Sequence, residues 1–364
     1  MLALLRFRMS LSAVRSVGDA IDLTRELMTP FAPGRILKLS VVVFLLSGGG
    51  ISLSANVPPI PPSVDPTYSG PTLKEITTGE AFADGPVADA DPGAIPEDLL
   101  LAVAVAAVVF ALFALAFVAL ASIAEFVFVE SLRSGNVTVR MYTARRWKQG
   151  LSLLAFRLGL GLVATVAVAG TALAVLELGI ADSLADAVGY AASVGAFVAL
   201  ATTVVSSLTT YFVVPTMIQE ERGIRSGWAR VWTALRAQPA EFLVFVVVQY
   251  VLGLLLAAAV TTVLAFAGGL VALALAVVFG TVIVVGGLGV TSGPGLALVV
   301  VAAFIGLVLL AGVAAVLQVP VQSYLRYYAL LVLGDVEERL DLVREQRERA
   351  RESQFGVATG SEEA

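Results

Sequence analysis

Residues Tyr211–Leu256 read YFVVPTMIQEERGIRSGWARVWTALRAQPAEFLVFVVVQYVLGLLL, and this stretch decides the fold. An apolar run closes at Val214-Pro215, a short segment carrying arginine and tryptophan follows, and a second apolar run opens at Phe242. That order describes a membrane helix arriving at one face of a bilayer, a helix lying on that face, and a membrane helix leaving it. Composition agrees. Hydrophobic residues make up 58% and charged residues 14%, with mean hydropathy +0.92. A soluble domain is nearer about 45–50% apolar and about 25% charged. Several runs longer than about 18 residues hold no charge, which is the signature of a spanning helix. The expected fold is therefore all-α: a polytopic membrane bundle of six transmembrane helices with amphipathic elbow helices on the cytoplasmic face.

Working outward, Ala13–Met28 is amphipathic, with Val14, Val17, Ile21 and Met28 on one face and Leu23 and Leu27 widening it. Met1–Ser12 contains Arg6 and Arg8 and lacks the apolar core of a signal peptide, and Met9 is an alternative start. Spans are expected at Ile36–Ser54, Leu99–Ala124, Leu151–Leu176 and Val188–Val214. Between the first two lies Ala55–Asp98, rich in proline and acidic residues, a composition that does not support a packed core and reads as a solvated outer loop. Phe242–Val290 is apolar almost throughout, interrupted by Gly268-Gly269, and Leu296–Gln318 is another span. Counting three crossings there would place the basic tail outside. Six crossings, with the glycine-rich middle piece as a re-entrant excursion, keep the tail inside. The chain thus divides into an N-terminal amphipathic segment, residues 1–34, a bundle, 35–334, and a charged tail, 335–364. Asp335–Glu352 is expected as a solvated helix, supported by Asp335/Arg339 and Glu345/Arg349 at i,i+4, with the end of the tail disordered.

Charge sets the orientation. All but two of the 23 basic residues fall in the N-terminal stretch as far as Lys38, the two basic elbows or the C-terminal stretch from Arg326. The exceptions are Lys74, in the outer loop, and Arg157, within a span. This asymmetry places both termini in the cytoplasm of a cell membrane. Three segments repeat one order of surface helix, outward span, outer loop and inward span. Pro33 matches Pro239, while the middle copy, from Val137, lacks that proline. The inward spans close with FVFVES, FVVPTM and QVPVQS, from Phe126, Phe212 and Gln318. The units share one orientation, so the threefold repeat is parallel.

Within Asp19–Asp335 the chain resembles a known family. The stretch VVPTMIQEERGIRSGWARVWTALRAQPAEFLVFVVVQYVLG is similar to the six-helix membrane domain attached to some glycerophosphodiester phosphodiesterases and also found alone. The segments LTRELMTPFAPGRILKLSVVVFLLSGGG and RYYALLVLGD resemble an uncharacterised haloarchaeal branch. Three lysines against twenty arginines, with pI near 5.0, fit such a source. The resemblance implies a fold and a membrane location and no activity, because the catalytic domain with its histidine and acidic metal ligands is absent.

The function classes narrow accordingly. The chain contains neither cysteine nor histidine, which excludes thiol chemistry and thiolate metal sites and removes the commonest metal ligand and general base. It carries no nucleotide-binding, metalloprotease or hydrolase motif. No enzyme activity, cofactor or metal is expected, and net charge −5 argues against nucleic acid as a partner. Arg157 is the ionisable residue that stands within a span, with Gln249 and Tyr250 as polar neighbours in the fifth helix. No acidic residue reads as mid-span, since Glu125 and Glu177 fall at expected helix ends. Tyr324, Arg326, Tyr327 and Tyr328 suit the membrane interface. Arg145, Arg146, Arg230 and Arg236, beside Trp147, Trp228 and Trp232, suit anionic headgroups. The expected role is a scaffold that holds anionic membrane lipid, or a protein partner through the tail. The alternative is a transporter or channel for a small polar or amphipathic solute around Arg157.

Overall fold

The computed structural model describes residues 16–29, 32–47, 97–135, 137–180, 184–289 and 292–349, and all regular structure among them is helical. In chain order the helices are α1 (16–28), α2 (Pro33–Leu46), α3 (Glu97–Ser134), α4 (Val139–Glu177), α5 (Leu184–Leu208), a π-turn (Thr209–Val213), α6 (Val214–Glu220), α7 (Ile224–Ala237), α8 (Pro239–Val285) and α9 (Gly293–Val336). A 3₁₀ turn, Glu338–Leu340, and a short helix, α10 (344–349), follow. Among the described residues, five helices are long and apolar enough to cross a membrane. The expected segments Met1–Ser12, Gly48-Gly49-Gly50, most of Ala55–Asp98 and Ser353–Ala364 lie outside the described residues.

Proline explains where helices break. Pro239 sits at the start of α8 and Pro33 at the start of α2, where the missing N–H costs nothing. Each therefore separates a surface helix from the span behind it. The middle repeat has no such proline, and α4 runs unbroken from its basic elbow into the span. The expected separation of an elbow from Leu151–Leu176 is corrected accordingly, and α3 likewise continues past Ala124 to Ser134.

The re-entrant excursion is also corrected. Gly268-Gly269 does not interrupt α8, which continues for 47 residues, or about 70 Å at about 1.5 Å per residue. The tight approach to α8 is made instead by a glycine of α9. A Cβ at Gly306 would lie 3.1 Å from Leu275 on α8, and one at Gly268 would lie 3.6 Å from Leu310 on α9. The turn after Val285 places Gly287 at φ 63, which glycine adopts freely.

The described residues fall into two compact units. The first comprises residues up to 47, 121–150 and 209–349. Its core is aromatic: Phe212 packs on Phe242 and Phe245 with ring centroids 5.0 and 4.6 Å apart, and Phe245 stacks on Tyr328 at 5.5 Å. In α1 the buried positions are Ser16, Ala20, Leu23 and Leu27, while Ile21 is 54% exposed, so the buried face is rotated from the expected one. The second unit comprises 97–120 and 151–208. Between α4 and α5 it holds a groove of about 690 Å³ lined by small and apolar residues, including Ala164, Val168, Ala191 and Gly195. The hydroxyls of Thr165 and Thr202 on this groove donate to Gly161 and Val198 carbonyls of their own helices.

The tail departs from the solvated helix expected of it. After α9 ends at Val336 the chain turns back, and Leu340 and Val343 become buried. Arg347 Nη1 donates to Asp335 Oδ1 at 2.9 Å, and Nη2 donates to the Leu331 carbonyl at 3.0 Å and faces Asp341 Oδ2 at 3.3 Å. Gln346 Nε2 donates to the carbonyls of Leu132 and Arg133 at the end of α3. The expected pair partners are replaced. Asp335 meets Arg347, and Arg349 donates to the Glu345 carbonyl and faces Glu26 of α1.

Candidate functional site

The first unit buries a charge pair. Arg326 of α9 donates through Nη2 to Glu125 of α3, and their side chains are 4% and 6% exposed. A carboxylate and a guanidinium withdrawn from water each carry a large desolvation penalty, which only mutual pairing and further hydrogen bonds offset. Arg326 makes one further bond, from Nη1 to the Thr210 carbonyl, and its guanidinium lies 4.9 Å from the centroid of the Tyr211 ring.

The local sequence accounts for that carbonyl. Pro215 has no N–H, and its ring clashes with a carbonyl four residues earlier in an ordinary α-helix. The chain widens into a π-turn over Thr209–Val213 and then resumes as α6 with Pro215 in its first turn. In a five-residue turn the donor to the Thr210 carbonyl would come from position 215, where proline has none to give. Arg326 supplies it. The run that ended at Val214-Pro215 on sequence grounds thus continues to Glu220, and all five residues of the π-turn are buried.

Gln249 of α8 lies beside the Tyr211 hydroxyl without completing a hydrogen bond of good geometry, and is 5% exposed. Tyr250, one residue on, faces partly outward. Arg157 is half-buried on α4. Two sequence expectations are overturned. Glu125 is buried well inside α3 rather than at a helix end, and Arg326, Tyr327 and Tyr328 are buried rather than interfacial. Among the described residues, a buried acid–base pair therefore exists where none was expected. Its partners lie 201 positions apart in the chain, and nothing in either local segment pointed to the other.

The basic elbows sort into two kinds of residue. Arg146 is 4% exposed and faces Glu130 and Glu221, each at 3.7 Å. Arg145 also reaches Glu221, at 2.7 Å. Glu221 adopts left-handed backbone, φ 52, where glycine is commoner, and these arginines hold its side chain in place. Arg230 bridges Glu220, at 3.8 Å, and Glu337. Gln149 donates to the carbonyls of Met217 and Arg222, at 2.9 and 3.2 Å. These contacts tie the start of α4, the end of α6, α7 and the end of α9 together. The second kind faces outward. On α7, Arg225, Ala229, Trp232, Thr233 and Arg236 share an exposed face, with Arg236 4.9 Å from the Trp232 ring centroid. On α4, Trp147 is 46% exposed with Lys148 beside its ring at 5.8 Å.

Fold and site together define a multi-pass helical membrane protein with a paired charge in its core and aromatic–basic elbows on its surface. Over residues 11–343 the chain matches a family model described as a family of unknown function, DUF7544, and it belongs to that family. No curated protein and no solved structure matches it.

Proposed function

We propose that the protein is a membrane scaffold whose elbows hold anionic lipid, with no catalytic role and no cofactor. The observation that carries this reading is the division of labour among the elbow cations. Arg146 and Arg230 are occupied in ion pairs, whereas Arg225 and Arg236 flank Trp232 on one exposed helical face. Tryptophan favours the headgroup layer and arginine favours phosphate, so the two together suit an anionic bilayer surface. The proposal places this face in the cytoplasm, with both termini, as the charge asymmetry of the sequence supports. It includes a cell-membrane location, a haloarchaeal source, kinship with the membrane domain of glycerophosphodiester phosphodiesterases, and no nucleic-acid partner. The tail is a second contact surface for a protein partner.

Native mass spectrometry from mild detergent, with phosphatidylglycerol and phosphatidylcholine offered together, tests the lipid reading. Arg225→Gln, Trp232→Ala and Arg236→Gln combined should weaken retention of the anionic lipid by about tenfold. Equal retention by wild type and variant refutes it.

A second reading, a transporter or channel for a small amphipathic or polar solute, draws on the α4–α5 groove, whose volume falls within the ordinary range of ligand sites, about 300–1,000 Å³. The groove lining contains no charged residue, so a solute held there would be recognised by shape. Uptake into proteoliposomes that Arg157→Leu leaves intact would exclude Arg157 from that role.

A further inference from the structure

The surface helix α7 is seated on the π-turn. A Cβ at Gly227 would lie 2.9 Å from Val213 Cγ1 and 3.1 Å from Met217 Cγ, so α7 meets the turn and α6 with no room to spare. The buried face of α7, Gly227, Val231 and Ala234, is the side opposite Arg225, Trp232 and Arg236. The turn beneath it is disfavoured as an α-helix, because Pro215 has no N–H to donate and crowds the carbonyl four residues back. It is held instead by Arg326, which spends one guanidinium nitrogen on the Thr210 carbonyl and another on Glu125. One side chain therefore joins the buried charge pair to the backbone that carries the exposed elbow. Single π-turns inside α-helices recur at functional sites.

We propose that the π-turn is a joint through which the Glu125–Arg326 pair sets the position of α7, so that disturbing the pair loosens the lipid-facing surface. The consequence for lipid rests on the proposed function above. The mechanics do not.

Two measurements in detergent, without added lipid, test the joint. The chain lacks cysteine, so Ala229→Cys on the exposed face of α7 takes a single environment-sensitive fluorophore. Glu125→Gln with Arg326→Gln removes both charges and leaves neither stranded. In that variant, amide exchange across Tyr211–Met217 should speed by about tenfold, the loss expected for one charge-assisted hydrogen bond, and the probe emission should shift. Adding Pro215→Ala returns an N–H to position 215, which takes over the Thr210 carbonyl and restores the protection. Arg326→Lys supplies a second route if the double variant does not fold. It keeps the charge beside Glu125 but lacks the fork that reaches both partners, and should raise exchange in the same segment. Unchanged exchange and emission in these variants, or no recovery on Pro215→Ala, overturns the joint. A probe that responds as expected in a protein that retains no anionic lipid refutes the lipid reading and leaves the joint standing.

Discussion

Exchanging the two members of the buried pair for glutamine, singly and together, gives a sharp energetic test. Arg326→Gln strips Glu125 of its counter-charge at a site where the carboxylate is 6% exposed, and Glu125→Gln does the same to an arginine that is 4% exposed. Breaking a buried pair from one side costs about 3–5 kcal/mol, because the surviving charge stays out of water. The double replacement removes both charges. It loses only the bond to the Thr210 carbonyl and the contact with the Tyr211 ring, together about 2–5 kcal/mol. The two single costs should therefore exceed the double cost by about 4 kcal/mol at mid-range and by at least about 1 kcal/mol, a clear coupling for one pair. Equilibrium unfolding in mixed micelles reports this, followed by tryptophan fluorescence. Additive single costs, or singles that each lose less than about 1 kcal/mol, would show that the pair does not hold the core as described.

Two further outcomes follow from packing and titration. Gly227→Val should lower stability by about 1–3 kcal/mol, because the added side chain has no space against Val213 and Met217; Gly159→Ala, within α4 and in open surroundings, should hold or raise the melting temperature, and similar losses in both would refute the tight seat. In the tail, burial holds the Asp341 carboxyl above the ordinary value of 3.8, against the opposing pull of Arg347 and the Val343 amide. The folded protein then binds this proton more tightly than the unfolded chain, so its contribution to stability falls as pH rises from 3.8 through the raised value. Melting temperatures of wild type and Asp341→Asn across that window should diverge as pH rises, with the variant keeping its stability, and parallel curves would contradict this.

The class of the molecule is legible along the chain, because that class is written in local terms. Hydropathy marks spans by length, and charge-free runs are counted without knowing what they touch. The positions of Pro33 and Pro239, and the lack of a proline in the middle repeat, also foreshadowed which elbows stand apart and which run on into a span, since proline acts on its own backbone. Gly268-Gly269 misled for the matching reason. Glycine weakens a helix locally, yet α8 runs unbroken through the pair, with α9 in ordinary contact at Gly268. Only tertiary structure decided which charges are paired. Glu125 and Arg326 each read as an ordinary residue near a helix end or interface, and a carboxylate becomes part of a buried pair only when another helix delivers its cation. The same holds for Arg146, one basic elbow residue among several until Glu130 and Glu221 enclose it, and for the tail, where Arg347 found partners on α9 and Arg349 on α1. Helix spacing is a property of neighbours in the chain, whereas counter-charge and burial are properties of neighbours in space.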